Sequence, residues 1–323
     1  VQHAAVILTH NRKEVLVQAI QGILRQTKPV DHLFLVDNAS TDGTFEHLCE
    51  TLFRPAPDAE AGSIQAGWFT IMEDGITREV CASYLRLNKN CGSAGGFQAG
   101  IRAAYDAGAE WIWIMDDDLM PYPHAYGRLC RSMGEVKCLL AGRHTFEGER
   151  VQWHERFDPR TFTTVPARER LPDGSCYANT CCFEGLVLHR TVIERVGVPD
   201  ERFFIVSDDT EYGDRIAREY QILSLPDVLY RRLVSTTAAQ RSILRTGFRR
   251  IERYAAWKTY YGTRNVFLLS SCTGYPITVK IVVRLLWLII SPFFYLDEKP
   301  GTRFLLGLRG IRDGVRHAFG RMP

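Results

Sequence analysis

The 323 residues, 46% hydrophobic and 24% charged, suffice for one large domain or two smaller ones with a core that needs no disulfides. Nine cysteines without a CxxC pair exclude the usual zinc spacings, and the neighbours Cys181 and Cys182 are badly placed to bridge, so a reducing, cytosolic compartment is favoured. The net charge of +3 conceals a division, because residues 241–323 hold 15 Lys or Arg against 4 Asp or Glu.

From the start, where no signal peptide is visible, Ala4 to Thr9 is a short apolar run, and Leu16, Ile20, Ile23 and Leu24 recur at helical spacing. This predicts strand, loop, helix. The loop Thr9-His10-Asn11-Arg12 falls at the carboxyl end of the strand, where open α/β sheets bind ligands. A second strand, His32 to Val36, closes on Asp37 and Asn38, and a turn over Ser40 to Gly43 leads to a helix near Thr44 with Thr41 or Asp42 as its cap. Residues 54–79, broken by Pro55, Pro57, Gly62, Gly67 and Gly75, read as an insertion in which Ile64 to Met72 forms an extra strand or hairpin. Tyr84 to Leu87 resumes the sheet and runs into Asn88-Lys89-Asn90-Cys91-Gly92-Ser93-Ala94-Gly95-Gly96-Phe97. That glycine-rich loop is expected to open a helix reaching about Gly108. Its glycines would bring backbone N–H groups to a phosphate, although the spacing matches no standard phosphate motif and a structural turn is the plainer explanation.

Trp111 to Met115 is an apolar strand ending abruptly in Asp116, Asp117 and Asp118. Adjacent carboxylates repel unless a cation sits among them, and Mg²⁺ or Mn²⁺ carrying a phosphate ligand suits such hard oxygens. The alternative is a helix cap with solvated acids. On an extended segment Asp116 and Asp118 share one side and can share a metal, while Asp117 faces the other and contacts a donor or caps the next element.

Pro121 to Met133 reads as helix and Cys138 to Gly142 as strand, so strands and helices alternate as in a parallel sheet covered on both faces. Residues 143–179 are irregular, with short β segments at Arg150 to Trp153 and Thr161 to Val165. Thr180 to Leu188 is an apolar run, and Thr191 to Val196 a short helix. Phe203 to Val206 then meets Asp208 and Asp209, which either catalyse or cap a helix on which Glu211 pairs with Arg215. In the basic tail, Ile277 to Leu296 is long enough to span a bilayer. Lys280, Arg284 and Pro292 argue instead for a helix lying in the interface with its basic stems snorkelling, followed by an arginine-rich helix from Arg303 to Arg321. A core helix packed on the rest is the competing reading.

Asp37, the Gly92 to Phe97 loop, Asp116 to Asp118 and Asp208-Asp209, in this order, resemble the inverting glycosyltransferases of family 2 over roughly residues 4–220. The Asn88 to Phe97 run and Tyr260-Tyr261-Gly262-Thr263-Arg264-Asn265 are most similar to bacterial galactofuranosyltransferases and rhamnosyltransferases. The resemblance implies a GT-A fold, Rossmann-like, with a mostly parallel sheet and helices on both faces. Residues 1–240 would be catalytic, with a nucleotide-sugar half to about 142 and an acceptor half from 143, and 241–323 a helical, membrane-associating tail. It implies Thr9 and Asp37 at the base and ribose, Asn11, Arg12, Asn38 and Asn88 around the donor, and Gly95 and Gly96 passing close to it. Asp116 and Asp117 would meet the donor, Asp116 and Asp118 the Mn²⁺ or Mg²⁺. Asp209, or Asp208, would be the general base, with Glu211 and Trp153 toward the acceptor and Glu211 or Arg215 ordering the helix. Related enzymes often supply a third metal ligand, a His, after that helix, but Leu225 to Gln240 contains none. Water, His154 or His189 would then complete the shell, or Arg231 and Arg232 would meet the diphosphate directly.

The implied reaction moves a hexose, most of all galactofuranose from UDP-galactofuranose, to a lipid-linked glycan or polysaccharide acceptor at the inner face of a bacterial cell membrane. Rhamnose from dTDP-rhamnose is the nearest alternative. A nucleotidyltransferase would want a Gly in the Thr9 to Arg12 loop, and intact acids at both strand ends speak against a silent membrane-bound subunit. The expected partners are the nucleotide sugar, the acceptor glycan and an anionic membrane surface but no nucleic acid, since aromatic RNA-binding signatures are lacking. A homo-oligomer stays open.

Overall fold

The computed structural model describes the chain except residues 58–63, 135, 153–154, 159–162, 236–239, 243–248, 253–254, 270–275, 297–298 and 323. Strand β1 (His3–Thr9), helix α1 (Lys13–Leu24), β2 (His32–Asp37) and α2 (Thr44–Thr51) come first. Next are β3 (Phe53–Pro55), β4 (Ile64–Glu73), β5 (Ile76–Arg86), α3 (Gly92–Asp106), β6 (Trp111–Asp116), β7 (Leu119–Pro121) and α4 (Ala125–Cys130). The second half supplies β8 (Cys138–His144), β9 (Arg150–Val151), β10 (Arg156–Asp158), β11 (Thr163–Val165), β12 (Cys176–Ala178) and β13 (Leu186–His189). It continues with α5 (Arg190–Val196), α6 (Asp208–Ala217) and β14 (Ile222–Arg232). Helices α7 (Trp257–Leu268), α8 (Ile277–Phe294) and α9 (Pro300–Val315) complete the order.

One large sheet runs β12-β14-β8-β13-β6-β1-β2-β5-β4-β3, with β7 added to β14 and β9 to β8. Its parallel heart is β5-β2-β1-β6, and there the residues are apolar toward both faces because helices cover both. Ala5, Ile7, Leu33 and Leu35 meet α1 on one face, while Val6, Leu8 and Val36 meet α3 on the other. Register decides the function of this heart: Thr9 lies opposite Asp37, and Leu8 opposite Asp116. Three strands therefore end level, with their polar termini side by side.

Several expectations need correction. The sheet is mixed, because β13 runs antiparallel between β6 and β8, and β12 and β7 run antiparallel to β14. The hairpin expected in the insertion is present, as β4 with β5. The helix expected from Pro121 shrinks to Ala125–Cys130, since Leu119–Pro121 is drawn into pairing with β14. Neither Thr41 nor Asp42 caps α2, whose N-cap is Gly43 at φ +76°. Trp153 and His154 lie outside the described residues.

The glycine-rich segment is helix from Gly92 onward, so Gly95 and Gly96 are packing residues in its first turns and not a loop along the donor. A Cβ on Gly96 would collide with Leu8 Cδ1, and one on Gly95 would stand 2.6 Å from Cys91 Cβ. Glycine at 96 lets α3 press onto β1 at the level where the strand ends. Gly96→Val should accordingly lower stability by about 1–3 kcal/mol through overpacking, read as a shifted urea midpoint with unchanged slope.

The C-terminal helices form a separate layer in which α7 packs along α9, with Gly310 and Gly314 allowing close approach to Tyr260 and Phe267. Among the described residues no helix is long and apolar enough to cross a membrane. Helix α8 nonetheless turns Val282, Leu286 and Ile289 outward, each more than half exposed. Lys280 is buried instead of snorkelling along that face.

Candidate active site

The level strand ends open onto a cleft of about 390 Å³ whose wall includes Arg12, Ser93, Asp116, Asp118, Glu184, Asp208, Asp209, Arg232 and Lys258. Asp116 is the last residue of β6, and Asp117-Asp118 form the turn after it. The strand alternation therefore stops at Asp116. Arg12 Nη1, at the start of α1, reaches both later acids, 3.1 Å from Asp117 Oδ1 and 2.8 Å from Asp118 Oδ2. Asp117 is buried, and its other oxygen accepts from the Thr9 hydroxyl at 2.7 Å.

Thr9 and Asp117 are thus engaged with each other. Asp37 is also buried, held by the Ser40 amide at 2.7 Å and the Tyr84 hydroxyl at 2.5 Å. It borders a neighbouring cavity of about 270 Å³ together with Thr41, Phe45 and Arg86. Asn38 is a clamp on the start of α3: its amide donates to Asn90 Oδ1 and Gly92 O, and its oxygen accepts from Cys91 N. Asn11, at φ +53°, staples the two strand ends by accepting from Thr41 N and donating its own main-chain amide to Ser40 Oγ. Asn88 is exposed in the β5–α3 connection.

Across the cleft, α6 begins with Asp208 and Asp209. Ser93 Oγ donates to Asp208 Oδ2 at 2.5 Å, so α3 holds this acid in place. Thr210 N donates to Asp209 Oδ1 at 2.7 Å. Asp209 also borders a second cavity, about 270 Å³, lined by Leu140, Gln152, Thr180, Cys181 and Thr210. It alone of the two acids stands in a wall common to both spaces. Glu211 faces neither: both its oxygens accept from Arg215, which in turn donates to the carbonyls of Val196 and Val198. Glu211 is therefore a support of α6, as the pairing with Arg215 led one to expect.

Burial sets the electrostatics. It pushes the Asp209 carboxyl up to about 7, with the neighbouring Asp208 charge adding to the effect. Asp208 rises for the same reason, opposed by its bond from Ser93. Asp116 is raised well above the ordinary carboxylate range by burial, then by Asp118 and Glu184. Such crowding of acids is what a cation relieves.

Glu184, Arg143 and Lys258 were not singled out from sequence. Glu184 pairs with Arg143 at 2.8 Å and with Arg232, which also reaches Asp118 Oδ2 at 3.4 Å. A single acid inside the apolar run Cys181 to Leu188 was the available signal, since a buried carboxylate needs a partner. Lys258 comes from α7, in the tail, where nothing in the sequence tied it to the cleft.

Among the described residues no group of three or more His, Cys, Asp or Glu is set to hold a metal by itself. Two carboxylates do suit a metal completed by substrate phosphates, and Asp118 Oδ1 is buried without a hydrogen-bond partner. Asp116 and Asp118 thus fit Mn²⁺ or Mg²⁺. His189 does not complete the shell, because it pairs opposite Trp111 at the far end of β6 and caps α5. Arg232 stands near Asp118 instead.

The family model for glycosyl transferase family 2 matches residues 4–55 and 70–197, more than half of the chain. A galactofuranosyltransferase, GlfT1, of Mycolicibacterium smegmatis is 26% identical over 232 residues, covering 66% of this chain and 65% of that protein. GlfT1 of Mycobacterium tuberculosis is 27% identical over 231 residues, 66% of this chain and 64% of its own length. The match thus spans a little under two thirds of the length of these relatives. In fold, the chain is similar to S. aureus TarS 1-349 in complex with UDP-GlcNAc, with a TM-score of 0.55 at 12% identity over 98% of this chain and 82% of that one. It is also similar to the mannosyltransferase PcManGT of Pyrobaculum calidifontis in complex with GDP-Man and Mn²⁺, with a TM-score of 0.50 at 15% identity over 98% and 75%.

Proposed function

This chain belongs to glycosyltransferase family 2, and from that premise we propose that it moves a hexose from a nucleoside-diphosphate donor to an acceptor hydroxyl by one inverting displacement. The observation that carries the reading is the place of Asp209, in the wall between the acid-lined cleft and a second cavity. The donor's diphosphate lies at Asp116, Asp118, Arg12 and Arg232, its nucleoside toward Asp37. An acceptor hydroxyl entering from the second cavity meets Asp209, which takes its proton as the oxygen attacks the anomeric carbon. The bond to the diphosphate breaks on the opposite face, so the anomeric centre inverts.

Asp116 and Asp118 would hold Mn²⁺ or Mg²⁺, which would supply Lewis-acid relief of charge on the departing diphosphate. Arg12 and Arg232 add fixed positive charge at the same edge. Asp116→Ala should therefore abolish the strengthening of UDP binding by Mn²⁺ that calorimetric titration is expected to show for the unaltered protein. An identical Mn²⁺ effect in both proteins would remove Asp116 from the metal site.

UDP-galactofuranose is the proposed donor and a lipid-linked glycan or polysaccharide the proposed acceptor, supported by the names of the relatives at 26–27% identity. Release of UDP from UDP-galactofuranose in the presence of lipid-linked acceptor tests this. Turnover with dTDP-rhamnose alone would reassign the sugar, and no turnover or UDP binding at all would end the proposal. The exposed apolar face of α8, on a basic tail, is proposed to rest on an anionic membrane at its cytoplasmic side. Leu286→Ser with Ile289→Ser should weaken sedimentation with phosphatidylglycerol vesicles while leaving turnover of a soluble acceptor intact; unchanged sedimentation would refute the membrane role.

A further inference from the structure

The segment that delivers Asp208 and Asp209 to the cleft has an unfavourable backbone. Phe204, Val206 and Ser207 are left-handed, at φ +64°, +71° and +67°, and none is glycine. Each such residue costs on the order of 1–3 kcal/mol and persists only where its surroundings over-determine it, most so for a β-branched residue such as Val206.

The surroundings come from α7, outside the sheet. Asn265 Nδ2 donates to the carbonyls of Phe203, Ile205 and Val206 at 3.1, 2.9 and 2.7 Å. Arg264 donates from Nη2 to the carbonyls of Arg202 and Phe203 at 3.0 and 2.8 Å. Its Nε and Nη2 also donate to Asn265 Oδ1 at 2.9 and 2.7 Å, which fixes the Asn265 amide with its N–H groups toward the loop. Both side chains are fully buried. Placing a guanidinium there is costly, and here it is used on main-chain carbonyls and the ring faces of Tyr260, Tyr261 and Phe319. Residues 320–322 close the same assembly: Arg264 Nη1 donates to Gly320 O, Gly320 N donates to Arg202 O at 2.8 Å, and Met322 N donates to Tyr261 Oη at 2.9 Å. From the other side, Ala94 N at the start of α3 donates to Phe204 O at 3.1 Å, and a Cβ on Gly92 would collide with that oxygen.

We infer that Arg264 and Asn265 are positioning residues for the transfer: they hold residues 202–207, three of them at positive φ, and so set where Asp209 enters the cleft. Neither touches the reacting atoms. The Arg264-Asn265 pair of the tail thereby belongs to the catalytic centre, together with Lys258 of the same helix, which lines the cleft itself. A loop relaxed by about 1 Å at the base is enough to lower turnover about 10²-fold.

The inference rests on Asp209 as the base, and a panel separates the two claims. Asn265→Ala and Asn265→Asp are compared with Asp209→Asn and with the double variant Asn265→Ala/Ser207→Gly. Each is assayed for UDP release from UDP-galactofuranose, for UDP affinity by calorimetry and for cooperative thermal unfolding. Asn265→Asp keeps the oxygen that Arg264 holds and turns an acceptor toward the Phe203, Ile205 and Val206 carbonyls in place of the donors, so it disturbs the loop without the cavity that the Ala variant opens. The expected result is a fall in kcat of about 10–100-fold for both Asn265 variants with KM for donor and UDP affinity unchanged. Ser207→Gly, which takes the left-handed conformation without strain, then recovers part of the lost kcat in the Ala background. Full kcat in Asn265→Asp beside an inactive Asp209→Asn overturns the inference and leaves the base reading standing. A loss that includes UDP affinity, or that Ser207→Gly does not relieve, also overturns it, because Asn265 is then only a stabilising residue. Full activity in Asp209→Asn overturns the base reading itself.

Discussion

Asp209→Asn should lower kcat by about 10²–10⁴-fold, the range for losing a general base, which is the role proposed for it, and leave UDP affinity unchanged. The amide keeps the shape of the carboxyl and its contact from Thr210 but cannot take a proton. Burial and the Asp208 charge hold the Asp209 carboxyl near the middle of the physiological range, at about 7. A group raised in this way is protonated, and idle as a base, below that value. The kcat of the unaltered enzyme should consequently climb with pH through neutrality, where an ordinary exposed Asp would give a flat profile. Asp208→Asn removes the neighbouring charge, so Asp209 ionises at lower pH and the climb moves to the acid side with a smaller loss of rate. A profile flat from pH 5 to 9 in every variant would place the base elsewhere.

Arg232→Leu is the second large effect. Its guanidinium joins Glu184 to Asp118, and all three side chains are largely buried. Its removal leaves Glu184 with Arg143 and Asp118 with Arg12, so the loss should approach but not reach the about 3–5 kcal/mol of a buried charge left wholly unpaired. Glu184 is already raised above the ordinary range by burial, with Arg232 opposing the rise, so part of the cost is met by its taking up a proton. Chemical denaturation should show the destabilisation, growing from acid to neutral pH as Glu184 ionises in the unfolded chain while the folded chain holds its proton. In Glu184→Gln/Arg232→Leu the loss should be smaller than in Arg232→Leu alone. Equal losses would mean that the two residues act independently.

The strand ends were legible because parallel strands buried on both faces are written as continuous apolar runs, and their polar termini stand out sharply. The runs at Ala4, His32 and Trp111 needed no tertiary information to be recognised. The antiparallel strand at Leu186–His189 was equally apolar, but direction is not encoded in such a run; it depends on the path of the chain before and after. Side-chain roles were less legible than side-chain places. Thr9, Asn38, Asp117 and Glu211 all lie on the correct segments, yet their polar atoms are taken up by protein partners, and only geometry reveals that. Glu184 and Lys258 come from segments distant in sequence from the acids they accompany, and no local periodicity links them.

The location of Arg264, Asn265 and Gly320 also orders events in time. Chains are made from the amino end, and the strands that end at Asp37 and Asp116 are made long before α7 exists. During synthesis the loop carrying the base waits for these supports. If Asp209 is the base, transfer begins only when α7 has docked.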